Sequence, residues 1–495
     1  MGPHCPVAPS QVYTYPPNAY DHSQVRPFVN RLRSDLIYAV ASPFRNSGLL
    51  KPGEMCLVLG CPGSGCTTFL KAIANERASY AAVSGDVRYA GIDHIEMKKH
   101  YKGEVAYNQE GQRFLFSGSQ TIYSLALSSD DHHIATLTVA QTLDFALAAK
   151  APGPKGRLPG VKRKAFINQV RDLLLRMLNI SHTKQTLVGD AFVRGVSGGE
   201  RKRVSIAEMM TTRARVQSWD NSTRGLDAST ASDFIKSMRI MTDVLGQTTF
   251  VSLYQAGEGI YDLFDNVMVI DKGRQVYFGP ASEARSYFEG LGYKSLPRQN
   301  TADYLTGCTD PNERQFAPKR SAIDVPSSPE ALEHAFRASS YYGDMIASLE
   351  KYKAHQAEEK RDQEAFRAAV LDDKKKGVSK KSPYTLGFWG QVKALTIRQF
   401  QTRIQDKFQL YTSFGLAVIL SLVIGGAYFD LPLTAAGGFT RGSVIFVAIL
   451  VAIFDSFGEI PLMMMGRAIL NKQVSFLGLS TTFRCPDRLP LSDRL

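Results

Sequence analysis

Between residues 48 and 307, short apolar runs alternate with stretches whose apolar residues recur at helical spacing. That alternation predicts an α/β layer structure around a mainly parallel sheet. Met55–Leu59 is an apolar strand, and Phe69-Leu70-Lys71-Ala72-Ile73-Ala74 belongs to a helix behind it. Leu137–Ala148 again carries helical spacing and predicts the start of a helical subdomain. Residues 1–46 are Pro- and Tyr-rich and aperiodic, so they are expected to be disordered. Residues 308–383 are charged and Ala-rich, with Ser327-Ser328-Pro329-Glu330 opening a helix, and read as a cytosolic connector.

The pattern changes after residue 383. Within 384–407, the stretch Phe388–Arg403 mixes Trp389, Leu395, Ile397 and Phe400 with Lys393, Arg398 and Arg403. This predicts a helix, either lying on a membrane surface or covering a protein surface. Phe408–Phe429 is then free of charge for 22 residues, bounded by Lys407 and Asp430. That length suffices to cross a hydrocarbon core of roughly 30 Å. Residues 442–465 are a second candidate span, so 408–476 reads as the start of a transmembrane domain. Basic residues flank the pair at Lys407, Arg467 and Lys472, which puts both outer ends in the cytosol and the Leu431–Arg441 loop outside. Asp455 and Glu459 share one face of the second span, consistent with a pathway or helix contact, or with a place near the cytosolic interface.

Charge and cysteine usage narrow the setting. The chain has 59 Lys+Arg against 46 Asp+Glu, and part of the excess lies in Lys150–Lys164 and Lys374–Lys381. Neither cluster has interleaved aromatics for base stacking, which argues against nucleic acid. Membrane lipid is the better partner for a basic cytosolic surface beside membrane spans. Six cysteines at 5, 56, 61, 66, 308 and 485 form neither zinc spacing nor a disulfide framework and suit a reducing cytosol. The first residues have no apolar core, so no secretory signal peptide is expected.

The chemistry is concentrated in short motifs. Gly60-Cys61-Pro62-Gly63-Ser64-Gly65-Cys66-Thr67-Thr68 joins the first strand to its helix with the spacing of a phosphate-binding loop. Its backbone N–H groups can wrap a polyphosphate, and Thr67 is placed to hold Mg²⁺. Cys66 occupies the position where such loops carry a lysine, so the usual point charge is missing. Val196-Ser197-Gly198-Gly199-Glu200 follows, and later Asp220-Asn221-Ser222-Thr223-Arg224-Gly225-Leu226-Asp227.

In this order the motifs resemble those of ATP-binding cassette (ABC) ATPases. The wording around Trp219–Asp227 and Val251-Ser252-Leu253-Tyr254-Gln255-Ala256 resembles the first nucleotide-binding domain of fungal pleiotropic drug resistance transporters. The resemblance runs from roughly Gly48 to Phe476. It implies a P-loop NTPase fold of ABC type with a helical signature subdomain, over 47–307, followed by α-helical transmembrane segments. It implies ATP and Mg²⁺ as cofactors, with Thr67 and Asp220 on the metal, and Ser222, Gly225, Leu226 and Asp227 as the D-loop. It also implies small amphipathic drug substrates, export across a membrane, and a multi-pass plasma-membrane protein with its nucleotide domain in the cytosol.

Four positions depart from the active pattern of that family together: Cys66, Glu110, Asn221 and Tyr254. They stand where the resemblance implies the phosphate lysine, the glutamine that links nucleotide to the membrane domain, the general base, and the switch histidine. An amide cannot take a proton at neutral pH, so base assistance of about 10²–10⁴-fold is lost at Asn221. The signature Val196–Glu200 is intact. In ABC dimers that segment covers the γ-phosphate held by the other domain, so the chain is expected to assist a second ABC nucleotide-binding domain in trans. The adenine-stacking aromatic is not evident; Tyr38 is a candidate.

Two segments do not fit the resemblance. Gly111–Ser129 reads as a translated intron or a tolerated surface insertion. Residues 477–495 are polar and Pro-interrupted where further membrane helices are expected, suggesting a truncated gene product. The alternative to an efflux transporter is therefore a non-transporting nucleotide-binding remnant. A soluble ABC ATPase is disfavoured by the uncharged Phe408–Phe429 run.

Overall fold

The computed structural model describes residues 46–477 except 78–79, 81–82, 102, 109–131, 155, 158–159, 191, 319, 321–322, 359–360, 375–377, 380–381, 383, 430–441, 452, 454–456 and 458–465. Tyr38, Glu110, the 111–129 segment, Asp455, Glu459 and the tail beyond 477 lie outside the described residues.

Six strands form one sheet in the order β4-β5-β6-β1-β7-β8. They are β1 Met55–Leu59, β4 Val105–Asn108, β5 Val216–Asp220, β6 Thr248–Ser252, β7 Asn266–Asp271 and β8 Arg274–Pro280. A small hairpin, β2 Arg88–Tyr89 with β3 Ile92–Asp93, stands apart. All pairings in the main sheet are parallel except β7 with β8. Every residue of β1 is buried, because helices cover both faces of a central parallel strand.

The first helix, α1, is Cys66–Ile73, and α2 is His94–His100. The helical subdomain holds α3 Val139–Lys150, α4 Arg163–Met177 and α5 Gly198–Met210. Helix α3 starts where Thr138 and Gln141 form a reciprocal capping box, which satisfies two otherwise unpaired backbone donors. Helix α6 Ala228–Leu245 ends at Gly246, whose φ of 61° gives the left-handed turn a helix C-terminus favours. Then come α7 Glu258–Tyr261, α8 Ala281–Leu291, α9 Thr301–Thr309, α10 Pro329–Arg337, α11 Ser340–Glu358 and α12 Arg361–Asp373.

The stretch read as a connector folds onto the nucleotide domain. Phe366 and Val370 of α12 share a small core with Tyr89, Ile92 and Met97, and Gly153 N–H donates to the Asp373 carbonyl at 3.0 Å. Lys150, counted above in a basic cluster, is buried and donates to the Gly103 carbonyl at 3.1 Å, so it adds nothing to a charged surface.

On the membrane side, α13 Phe388–Gln405 packs Ala394 and Leu395 on the main core and leaves Trp389 and Phe400 exposed. Among the described residues one helix, α14 Lys407–Ala427, is long and apolar enough to cross a membrane, and none of its residues is buried in the protein. A shorter apolar helix, α15 Gly442–Val451, lies in the second predicted span. Helix α16 Arg467–Phe476 then returns to the nucleotide domain, where Val474 and Leu477 enter the main core.

Candidate nucleotide site

The C-terminal ends of β1, β5 and β6 meet at one edge of the sheet, where open parallel sheets bind ligands. From β1 the chain turns through residues 60–65 into α1. The turn is tight enough to demand glycine: a Cβ on Gly60 would lie 2.4 Å from the Ile270 carbonyl and 2.3 Å from Ser64 Oγ. Gly63 and Gly65 have φ of 86° and 105°, a region that costs other residues strain. Ser64 is buried, its N–H donates to the Cys61 carbonyl at 2.9 Å, and its carbonyl accepts from Gly273 N–H at 2.6 Å. No side chain caps α1 at Gly65. The first-turn N–H groups of Cys66, Thr67 and Thr68 therefore keep their capacity to bind an anion.

The loop's two thiols carry no charge. Burial pushes Cys66 up to about 11, and the Asp220 carboxylate adds to the rise while a bond to Ser64 Oγ, at 3.4 Å, opposes it. Cys61 is raised by burial and anchored on α9, with its Sγ 3.2 Å from Thr309 Oγ1. At neutral pH residue 66 thus offers a phosphate neither an ammonium's attraction nor a thiolate's repulsion.

Asp220 ends β5 and is 1% exposed. Its Oδ1 accepts from Ser252 Oγ at 2.7 Å and its Oδ2 from Tyr107 Oη at 2.8 Å. Each carboxylate oxygen has two lone pairs, so capacity remains for a metal-bound water. The glycine cradle, the uncapped helix start and the hydrogen-bonded aspartate fit a magnesium-bound polyphosphate. What does not fit is the side chain at 66. Asn221 follows at φ 45°, with its N–H donating to Ser252 Oγ at 3.1 Å. Tyr254, beyond β6, is exposed. Asn108 Nδ2 donates to the buried Ser222 Oγ at 2.8 Å, fixing the start of the 222–227 turn. Gly225 takes φ 83° in that turn, Leu226 N–H donates to the Thr223 carbonyl at 3.0 Å, and Asp227 caps α6 by accepting from Thr230 N–H at 3.1 Å.

The signature is built differently. Val196 is buried and donates its N–H to the Leu187 carbonyl, while Ser197 and Gly198 face solvent. Ser197 and Glu200 form a reciprocal capping box: Glu200 Oε2 accepts from Ser197 N–H at 2.8 Å, and Ser197 Oγ accepts from Glu200 N–H at 3.3 Å. The Ser197 N–H bond and His182, 2.8 Å from Oε1, hold the Glu200 carboxyl down at about 2. Nothing lies within 4 Å of a Cβ built on Gly198 or Gly199. Among the described residues no hydrogen bond or ion pair joins Val196–Glu200 to Gly60–Thr68.

Two family profiles match the chain: ABC transporter over residues 45–224 and ABC-2 type transporter over 390–480. The chain belongs to the ABC transporter family. Its curated relatives are of the multidrug and G-type class. ABC multidrug transporter I of Aspergillus fumigatus is 51% identical over 429 residues, 87% of this chain and 28% of that protein. ABC multidrug transporter atrF of the same organism is 46% identical over 87% of this chain and 26% of its own length. ABC transporter G family member 21 of Dictyostelium discoideum is 44% identical, covering 86% and 28%. The chain thus spans little more than a quarter of these relatives. The family assignment carries nucleotide binding and membrane association with it.

Sequence reasoning placed Asp220 but missed Tyr107 and Ser252, the two hydroxyls that orient it. Ser252 lies inside the Val251–Ala256 motif; Tyr107 is 113 positions from Asp220 with no local signal. The Ser197–Glu200 box was likewise missed, though the S-x-x-E spacing ahead of Val204–Met210 carries its signal.

Proposed function

We propose that this chain is the assisting, nucleotide-binding part of a multidrug efflux transporter, together with the start of its membrane domain. Its residues 60–68 take Mg-ATP, with Thr67 and Asp220 toward the metal. Bound Mg-ATP would supply the phosphate charge that draws a second nucleotide-binding domain onto this one. Ser197, Gly198 and Gly199 then contribute a hydroxyl and open backbone to the partner's γ-phosphate, at the start of a helix whose dipole favours negative charge. Closure of the two domains drives the membrane helices from inward- to outward-facing, exporting small amphipathic compounds across the plasma membrane. Cysteine at 66 and asparagine at 221 leave this domain without charge or base for its own hydrolysis.

One observation carries the reading: an open, capped signature in the same domain as a phosphate loop with a neutral thiol. The purified chain should bind Mg-ATP weakly and hydrolyse it barely above background. Robust turnover that Asp220→Asn abolishes, in a preparation free of other ABC proteins, would overturn the assisting role.

A further inference from the structure

Helix α5, whose first turn is the signature, carries an acid in an otherwise buried apolar stretch. Glu208 is flanked by Ile206, Ala207, Met209 and Met210 and is 2% exposed. A carboxylate in such a place costs several kcal/mol unless it finds a cation. Its cation comes from the membrane side: Lys472 of α16 places Nζ 2.9 Å from Glu208 Oε2, with side-chain exposures of 11% and 3%.

Two further groups surround the pair. His133 Nδ1 lies 3.8 Å from the same Oε2, and its Nε2 is 2.8 Å from Ser205 Oγ, also on α5. Burial, with the nearby charges of Lys472 and Arg201, holds His133 well below its usual range, so it is neutral at pH 7. From α13, Arg398 sets its guanidinium 4.2 Å from the Phe145 ring centre of α3 and donates to Gln473 beside Lys472. Burial lowers Arg398 to about 10, against the pull of Glu208, so it stays charged. The helix after the membrane run and the signature helix therefore meet at one buried carboxylate, and α13 joins the same cluster through Gln473.

Apolar packing of Val474 and Leu477 would suffice to hold α16 against the domain, but it would tolerate sliding. A buried ion pair does not, because a shift of an ångström or two leaves both charges desolvated and unpaired. We infer that Glu208 is a positioning residue that keys α16 to the signature helix through Lys472, so that both move as one body. This deepens the proposed function, and rests on it only in giving α5 the signature's role.

The test uses the whole chain in lipid nanodiscs, followed by hydrogen exchange over residues 198–210 and 467–476. Glu208→Gln and Lys472→Gln are near-isosteric and each should raise exchange of both segments by about tenfold or more, the cost of leaving one buried charge alone. The double variant should be no worse than the worse single, and Lys472→Arg should stay close to the parent. Binding of a fluorescent ATP analogue should change by less than about twofold, since the phosphate loop touches none of these groups. Effects confined to the mutated helix, additive effects in the double, or Lys472→Arg as damaging as Lys472→Gln would overturn the inference. If Glu208→Gln gives no folded chain, the contrast between the two Lys472 variants decides alone. Failure of the parent to bind the analogue would count against the proposed function and leave the exchange result standing.

Discussion

The phosphate loop and the signature sit in one domain, yet they have kept different things. At the phosphate loop the backbone is intact and the side-chain chemistry is altered. Gly60 still closes against the Ile270 carbonyl, and Gly63 and Gly65 still take positive φ, but residue 66 is a neutral thiol. At the signature both are intact: the cap is reciprocal, and neither glycine has a neighbour within 4 Å of where a Cβ would stand. The lesson is that a cradle for a polyphosphate and the machinery to cleave it are separable, because the first is mostly backbone and the second mostly side chain. On the proposed function, that open space is where a second nucleotide-binding domain's phosphate would approach.

The largest expected effect tests the closed end. Gly60→Ala would force a Cβ to within 2.4 Å of a backbone carbonyl, which the sheet cannot move cheaply. A loss of roughly 3 kcal/mol or more is expected, with nucleotide binding abolished. Chemical denaturation checks the first and analogue binding the second. An unchanged midpoint would mean the loop is not held as tightly as its contacts say.

Restoring the missing charge comes next. Cys66→Lys should tighten Mg-ATP binding by about 10- to 100-fold, since a hydrogen bond from a charged donor contributes about 1.5–3 kcal/mol. The same ammonium, beside Ser64 in a buried spot, should lower the stability of the nucleotide-free chain. Titration calorimetry reads the affinity. Tighter binding with turnover still at background would confirm that cradle and cleavage are separate, whereas fast hydrolysis from this single change would break the comparison.

At the signature the effects are smaller and carry a pH signature. Glu200→Ala leaves the Ser197 cap on the residue-200 N–H but removes the carboxylate that accepts from Ser197 N–H, and should cost about 1 kcal/mol at pH 7. The folded carboxyl sits at about 2, below its usual value of 4.5, so its contribution is present above about 4.5 and is lost as pH falls toward 2. The gap between parent and variant should therefore shrink in denaturation at pH 3 compared with pH 7. Gly199→Ala has the opposite sign. Its site is helical and unobstructed, so it should stabilise the isolated chain by roughly 0.5–1 kcal/mol while impairing a site completed in trans. A stabilised chain that still supports a partner domain fully would separate the glycines from function.

What could be read from the sequence followed locality. The strand–loop–helix at 55–73 and the signature at 196–200 each declare themselves within a single short segment, because turn glycines, caps and apolar runs act on near neighbours. The Asp220 partners could not be read, since Tyr107 reaches it across β4 and β5 only once register is set. Glu208 did leave a signal, an acid within a buried apolar helical run, but its cation lies on a helix beyond the membrane run. The docking of α12 was equally hidden. Phe366 and Val370 look like surface residues of a charged helix until Tyr89, Ile92 and Met97 come beneath them.

The smallest expected effect is the most discriminating for catalysis. Tyr254 stands where a switch histidine is expected, and it is 71% exposed at the end of β6. Tyr254→His should change stability by less than about 0.5 kcal/mol, as exposed substitutions away from caps and cores do. Turnover should also stay within about twofold of background, because Asn221 still offers an amide where a proton must be accepted. A histidine that contacts a γ-phosphate can polarise it, but without a base the attacking water remains neutral. If Tyr254→His alone lifts hydrolysis well above background in single-turnover assays, the amide at 221 does not limit hydrolysis. The contrast between its two ends would then rest on one exposed side chain rather than on the buried loop.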